Sequence, residues 1–267
     1  MKTTKDFKLF DSHFHIIDPR FPLVENNGFL PEPFPGTAYA ERLKDYDLAG
    51  GAIVSGSFQG FDQNYLIAAL QQLGPEYVGV TQLPATVADE EILTLNAAGV
   101  RGVRFNLKRG GSEGLENLEA FACRLYELAG WHVELYIDSS DLADLYELLI
   151  SLPSVSIAHL GLSKSGFATL LKLAERGITV KATGFYRVDF NVKQALQQIV
   201  STNPNCLIFG TDLPSTRAIR PYLDDDYLLV IEAVGEKLAA KVFYDNAIAF
   251  YKPRQIRGAS LPLDLNL

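Results

Sequence analysis

The chain has 267 residues, of which 48% are hydrophobic and 21% charged, and its net charge is −8. This length suits one α/β barrel, and we predict a single domain over 1–267. The acidic balance, without a basic run, argues against nucleic acid or an anionic membrane as the partner. No signal-type or long apolar segment is present, so we expect a cytoplasmic protein, and a homo-oligomer is compatible with the sequence.

Short β-branched segments alternate with longer amphipathic ones, and eight of them are predicted as strands. The predicted strands are 8–17, 50–57, 77–84, 100–107, 132–138, 155–161, 179–185 and 206–214. A helical pattern follows each strand, which predicts the α/β class and a single (β/α)8 TIM barrel with its active site at the C-terminal ends of the strands. A doubly wound open sheet is the alternative, although no GxGxxG motif follows the first strand. The Pro- and Gly-rich stretch 18–36 is predicted as an active-site loop, and 252–267 as a C-terminal surface strap.

The first strand contains the segment "DSHFHIID", which holds two of the four histidines of the chain. Because side chains alternate along a strand, Asp11, His13 and His15 are predicted to share one face. Both histidines approach the C-terminal end of the strand, where barrel enzymes carry their chemistry. His159 and Asp212 occupy the same end of the sixth and eighth predicted strands. We therefore predict that His13, His15, His159 and Asp212 form one site.

Further polar side chains are predicted at the same mouth of the barrel. The fourth strand alternates apolar residues with Arg104, Asn106 and Lys108, and burial of such a polar stripe without partners would be costly. The fifth strand adds Tyr136, and Ser57 ends the second. These residue types can bind an anionic substrate through charge and hydrogen bonds.

These motifs resemble the amidohydrolase superfamily, and within it the branch typified by 2-pyrone-4,6-dicarboxylate lactonase. The similar blocks, in chain order, are "DSHFHIID", "VRGVRFNLKR", "VELYID", "IAHLG", "KATGFYR", "IFGTDLP" and "FYDNAIAFY". The resemblance implies a hydrolase that opens a carboxylated lactone, of the 2-pyrone-4,6-dicarboxylate, sugar-lactone or muconolactone type. The chain departs from binuclear members, which need Lys or Glu on strand four and His on strand five, so a two-metal site is not expected.

The resemblance also implies roles for the catalytic set. Asp212 would act as general base on water and then protonate the leaving oxygen. His13, His15 and His159 would polarise the carbonyl and stabilise the oxyanion. Arg187, in "GFYR" after the seventh strand, matches an arginine that the family has in that loop. The predicted substrate-binding set is Arg104, Asn106, Lys108, Tyr136, Arg187 and Ser57.

The need for a metal is the least constrained of these expectations. Three histidines and a carboxylate suit one zinc ion, whose ligands would be His13, His15, His159 and Asp212. In the branch that the chain resembles, the pyrone-dicarboxylate lactonase works without a metal, whereas some relatives bind one zinc. The two cations of strand four would repel a divalent cation, so we favour a site that requires no cofactor, with one Zn²⁺ as the alternative.

Two other functions compete with lactone hydrolysis. Related amidohydrolase branches decarboxylate aromatic or muconate-type acids with one zinc, and they would use the same histidines and aspartate. A barrel that binds a small carboxylate without catalysis is the second alternative, because a fold alone does not establish an activity. Released carbon dioxide would identify the first, and binding without turnover the second.

Overall fold

The computed structural model of the chain describes residues 2–253. Its strands are β1 (Lys8–Phe14), β2 (Asp47–Val54), β3 (Tyr77–Thr81), β4 (Val100–Asn106), β5 (His132–Tyr136), β6 (Val155–Ile157), β7 (Thr179–Ala182) and β8 (Leu207–Phe209). They form one sheet in the order β1 to β8, with parallel neighbours throughout. Near the C-terminal ends of β1 and β8, His13 O accepts from Asp212 N and Leu213 O accepts from His15 N, both at 2.7 Å. These bonds join the first and last units, and the predicted TIM barrel is confirmed.

Helices alternate with the strands and form the outer layer. They are α1 (Gly36–Arg42), α2 (Asn64–Leu73), α3 (Asp89–Ala98), α4 (Leu118–Ala129), α5 (Leu142–Ser151), α6 (Phe167–Glu175), α7 (Val192–Thr202), α8 (Asp224–Val234), α9 (Glu236–Ala240) and α10 (Asn246–Tyr251). The helical segment after β8 divides between α8 and α9 at Gly235, whose φ of 79° suits glycine. Across residues 2–253, no helix is both long and apolar enough to span a membrane.

Two apolar layers hold the barrel together. The larger lies between the sheet and the helices, where Phe105 of β4 meets Phe121 of α4. The smaller fills the N-terminal end of the barrel, where Phe10 stacks on Tyr251 of α10. Burying one large apolar side chain contributes about 1.5–3 kcal/mol. Within residues 2–253, this second layer packs the N-terminal end of the barrel with apolar side chains.

Several predicted strands extend beyond the observed ones at their C-terminal ends. β6 ends at Ile157 and β8 at Phe209, so His159 and Asp212 follow their strands instead of ending them. Both residues adopt left-handed backbone angles, with φ of 53° and 59°, which hydrophobic periodicity does not reveal. Of the predicted strap 252–267, only the first two residues are described, and the remainder lies outside the described residues.

Candidate active site

An irregularity in β1 divides the polar face that the sequence predicts for this strand. The pairing of β1 with β2 shifts register on both sides of Asp11. The carboxylate of Asp11 accepts hydrogen bonds from the backbone N and Oγ1 of Thr211 and from the hydroxyl of Tyr39 in α1. It therefore points toward the helix layer, and the prediction that Asp11 shares a face with His13 and His15 is wrong. Its role in the structure is to tie β1 to the segment after β8.

The other four predicted residues lie together at the C-terminal mouth of the barrel. Nε2 of His13 and Nε2 of His15 each lie 3.7 Å from Oδ1 of Asp212. The ring of His159 lies 4.9 Å from that of His13, centroid to centroid. All four side chains are buried. The structure thus brings one carboxylate oxygen and three imidazoles to a single small space.

The two oxygens of Asp212 have different surroundings. Oδ2 accepts hydrogen bonds from the Tyr186 hydroxyl at 2.6 Å and from Nε of Arg187 at 2.8 Å. Oδ1 is buried and has no hydrogen-bond partner among the described residues. Burial alone would raise the pKa of Asp212, but the adjacent charge of Arg187 outweighs it and holds this pKa below its ordinary value. Asp212 is therefore an ionised carboxylate with one oxygen available for chemistry.

The imidazoles are held in fixed orientations. Burial lowers the pKa of His13 and of His159 well below the ordinary value, so both rings are neutral. Nδ1 of His15 lies 2.7 Å from the carbonyl oxygen of Val54, to which it donates. A Cβ on Gly184 would come within 2.7 Å of Nδ1 of His159, so a residue without a side chain is required there.

A buried ion-pair network lies directly beneath His13, and sequence reasoning missed two of its members. Nζ of Lys181 on β7 lies 2.5 Å from Oε2 of Glu134 on β5 and 3.1 Å from Nδ1 of His13. Nε of Arg104 lies 3.3 Å from the other oxygen of Glu134. Burial would raise the pKa of Glu134, but Lys181 and Arg104 lower it below its ordinary value. The sequence signal for this network was a single Glu or Lys within each of two short, mostly apolar strands, namely Glu134 in β5 and Lys181 in β7.

The amidohydrolase family model matches residues 10–252 of the chain. The chain belongs to this family. It is 27% identical to a 2-pyrone-4,6-dicarboxylate hydrolase of Comamonas testosteroni, over 92% of this chain and 90% of that protein. It is 23% identical to a 4-sulfomuconolactone hydrolase of Rhizobium radiobacter, over 89% and 87% respectively. A ligand-free crystal structure from Agrobacterium tumefaciens has a TM-score of 0.83 at 20% identity and covers 95% and 98% of the two chains, which supports the fold.

Whether the site of this amidohydrolase suits a zinc ion depends most on which nitrogen of His13 carries the ring proton. One ligand atom from each of His13, His159 and Asp212 lies within 4.8 Å of the others, which is a spacing that a metal could bridge. Nδ1 of His13 lies 3.1 Å from Nζ of Lys181, and Nε2 lies 3.7 Å from Oδ1 of Asp212. With its proton on Nε2, His13 would have no lone pair to offer a metal at that atom. A neutral His15, whose Nδ1 donates to Val54 O, has its lone pair on Nε2, so the fit of zinc at this site depends on the tautomer of His13.

The predicted substrate-binding residues of the amidohydrolase divide between two adjoining cavities. An inner pocket of ~30 Å³ reaches His15, His159 and Asp212. Of the predicted substrate-binding set, Ser57, Arg104, Asn106, Tyr136 and Arg187 line this inner pocket. Lys108 lines only the outer cavity, where its Nζ lies 3.0 Å from Asp138. Arg187 was predicted to bind the substrate, and in the described structure it donates to Asp212 and to the carbonyl oxygen of Thr216.

The outer cavity of ~350 Å³ contains two arginines that sequence reasoning did not single out. Arg109 and Arg217 line both cavities. Burial and the positive charge of Arg109 lower the pKa of Arg217. Arg217 donates to Asn26 of the loop 18–36 and packs over the ring of Phe29. The loop predicted to border the site therefore reaches it through Arg217.

Proposed function

We propose that this amidohydrolase hydrolyses a lactone ring that carries anionic groups, with water activated by Asp212 and without a metal ion. The observation that carries the proposal is the asymmetry of the Asp212 carboxylate. One oxygen is held by Tyr186 and Arg187, and the other is unpaired and faces His13 and His15. A general base needs such a free, oriented oxygen next to groups that stabilise the developing oxyanion.

The reaction would proceed in two proton transfers. Water gives a proton to Oδ1 of Asp212 while its oxygen bonds to the lactone carbonyl carbon. His13 and His159 donate hydrogen bonds to the oxyanion that forms, whereas the Nδ1 proton of His15 is held by the carbonyl oxygen of Val54. The bond between that carbon and the ring oxygen then breaks, and Asp212 returns its proton to the departing oxygen. The product is an open chain with a new carboxyl group and a new hydroxyl group.

The cavities support an anionic substrate. The inner pocket is much smaller than the 300–1,000 Å³ typical of small-molecule sites, whereas the outer cavity falls in that range. The lactone carbonyl would occupy the inner end, and anionic substituents would extend among Arg109, Arg187 and Arg217. Two relatives with whole-chain similarity are named for hydrolysis of anionic lactones, a pyrone dicarboxylate and a sulfomuconolactone.

Arg187 links substrate binding to the strength of the base. In the described structure it neutralises Asp212 and lowers the pKa of that carboxyl group. A substrate carboxylate would compete for the same guanidinium, because arginine binds carboxylates through paired hydrogen bonds. A substrate carboxylate at that guanidinium would take up part of the counter-charge of Asp212 and make it a stronger base, while Nε stays on Oδ2. The predicted role of Arg187 and its observed partner thus belong to two stages of one cycle.

The test combines metal content with turnover. The purified protein is analysed for bound metals, and lactones with zero, one and two carboxylates are assayed before and after chelation. We expect addition of one water per substrate, a preference for the charged lactones, and the same rate after chelation. Release of carbon dioxide would replace the proposal with decarboxylation, and chelator-sensitive turnover with stoichiometric zinc would overturn the metal-free mechanism. Binding without turnover would show a carboxylate-binding barrel.

A further inference from the structure

We infer that Lys181 is a positioning residue that holds His13 in the tautomer with its proton on Nε2. Lys181 is fully buried, and its Nζ lies 3.1 Å from Nδ1 of His13. The inference deepens the proposed function, because it assigns His13 the role of hydrogen-bond donor and explains how the site disfavours zinc. The role of His13 in turnover rests on the proposed function, whereas its tautomer does not.

The direction of this hydrogen bond follows from the partners of Lys181. Its Nζ also lies 2.5 Å from Oε2 of Glu134. Burial lowers the pKa of Lys181 below its ordinary value, and the negative charge of Glu134 opposes that shift by pairing with the ammonium form. A charged ammonium carries three hydrogens and no lone pair, so Nδ1 of His13 can only accept from it. The single proton of the neutral imidazole is then on Nε2.

A competing arrangement is visible on the same side of the ring. Nδ1 of His13 also lies 3.5 Å from Oε1 of Glu134, and a proton on Nδ1 could be donated to that oxygen. The longer distance and the absence of an assigned hydrogen bond favour Lys181 as the partner. Oε1 is instead approached by Nε of Arg104 at 3.3 Å. Without Lys181, Glu134 would become the natural acceptor for His13, and the tautomer would reverse.

The tautomer determines what His13 can do at the mouth of the barrel. Nε2 is buried, has no partner in the described structure and lies 3.7 Å from Oδ1 of Asp212. With a proton there, His13 donates to the lactone carbonyl and to the oxyanion formed from it. With a lone pair there, His13 would instead resemble the usual metal ligand, whose other nitrogen donates to a carboxylate. Lys181 thereby favours His13 as a hydrogen-bond donor to the substrate over His13 as a metal ligand.

The tautomer can be read directly by nitrogen NMR without substrate. In protein labelled with ¹⁵N-histidine, long-range ¹H–¹⁵N spectra distinguish a ring protonated at Nε2 from one protonated at Nδ1. We expect Nε2–H for His13 in the wild-type protein, with the signal assigned by its loss in His13→Gln. A wild-type ring protonated on Nδ1 would overturn the inference, and this result needs no folded variant at position 181.

Zinc titration of variants gives the second readout. Lys181→Met should shift His13 toward Nδ1–H and bind Zn²⁺ at least about tenfold more tightly than the wild-type protein, in line with the effects of groups that orient metal ligands. Lys172→Met, at an exposed position of α6, should leave both readouts unchanged. If Lys181→Met does not fold because Glu134 is left unpaired, the double variant Lys181→Met/Glu134→Gln is measured in its place. Equal zinc affinity and an unchanged tautomer in a folded variant would contradict the inference.

Turnover then separates this inference from the proposed function. Lys181→Met should lower kcat for a carboxylated lactone by about 10- to 100-fold with little change in KM, since the lysine lies behind His13 and away from both cavities. A wild-type protein that shows the Nε2–H tautomer but hydrolyses no lactone would refute the proposed function alone. An active lactonase with His13 protonated on Nδ1 would refute the role of Lys181 alone.

Discussion

Nε of Arg187 lies 2.8 Å from Oδ2 of Asp212, in a buried ion pair in which the two side chains are 10% and 1% exposed. Such a pair is fixed in place, because separating it would leave a charge without a partner in a poorly hydrated site. Tyr186 donates to the same oxygen. The relationship orients the carboxylate, and Oδ1 is the oxygen that remains free to act on water.

Replacement of Asp212 by asparagine tests the proposed base. Asp212→Asn should lower kcat by about 10²- to 10⁴-fold, since general-base assistance has this magnitude. The amide oxygen still accepts hydrogen bonds, so the circular dichroism spectrum should be retained. Steady-state kinetics on a charged lactone provide the measurement, and Asp45→Asn, at an exposed position, is the matched control. Turnover near the wild-type rate in Asp212→Asn would remove Asp212 from the mechanism.

Tyr186→Phe tests whether the orientation of Asp212 matters. The substitution removes one donor from Oδ2 and leaves Arg187 in place. A hydrogen bond to a charged group is worth about 1.5–3 kcal/mol, so kcat should fall by roughly 10- to 100-fold, while KM changes little. Tyr126→Phe, on the exposed side of α4, should have no effect. A rise in KM with unchanged kcat would instead make Tyr186 a substrate-binding residue.

Arg217→Met tests the cationic outer cavity. Arg217 and Arg109 line this cavity together. Loss of Arg217 should raise KM for a dicarboxylated lactone by about tenfold, because a charge-assisted hydrogen bond is removed. KM for a neutral lactone should stay within about twofold. Arg176→Met, at an exposed position after α6, is the control for loss of charge alone. Equal effects on charged and neutral lactones would show that Arg217 acts through the shape of the loops.

The sequence predicts a site residue when its position follows from the strand pattern, and misses it when its position depends on contacts between distant segments. His13, His15, His159 and Asp212 were predicted together because positions at strand ends converge at one mouth of a barrel. The interior network was missed because Lys181 and Glu134 lie on different strands, and only the closed barrel shows that they meet. Loop residues such as Arg217 depend on contacts between distant segments, which local patterns do not encode.

Asp11 shows a different limit, since strict alternation along β1 predicted the wrong face for it. Two register shifts against β2 turn its carboxylate toward the helix layer, and a local irregularity of this kind carries no simple sequence signal. The residue ties β1 to the segment after β8 through Thr211. It therefore contributes to positioning His13 and Asp212 without lining the pocket, and its charge state should affect stability.

Comparison of the wild-type protein with Asp11→Asn tests that effect through pH. Burial raises the pKa of Asp11 from 3.8 to about 6, against the opposing hydrogen bonds of Thr211, His13 and Tyr39. The folded state thus binds this proton more tightly than the unfolded state, so protonation favours folding. The stabilising contribution is present below about pH 4 and is lost as pH rises through 6. Its full size is on the order of 3 kcal/mol.

The free energy of unfolding should be measured by chemical denaturation of both proteins between pH 4 and pH 7. The wild-type protein should lose stability relative to Asp11→Asn across this interval, because asparagine has no proton to lose there. Carboxylates with lowered pKa, such as Asp212 and Glu134, are common to both proteins and cancel in the difference. A difference that stays constant with pH would mean that the hydrogen bonds at Asp11 fully offset its burial and keep it ionised throughout.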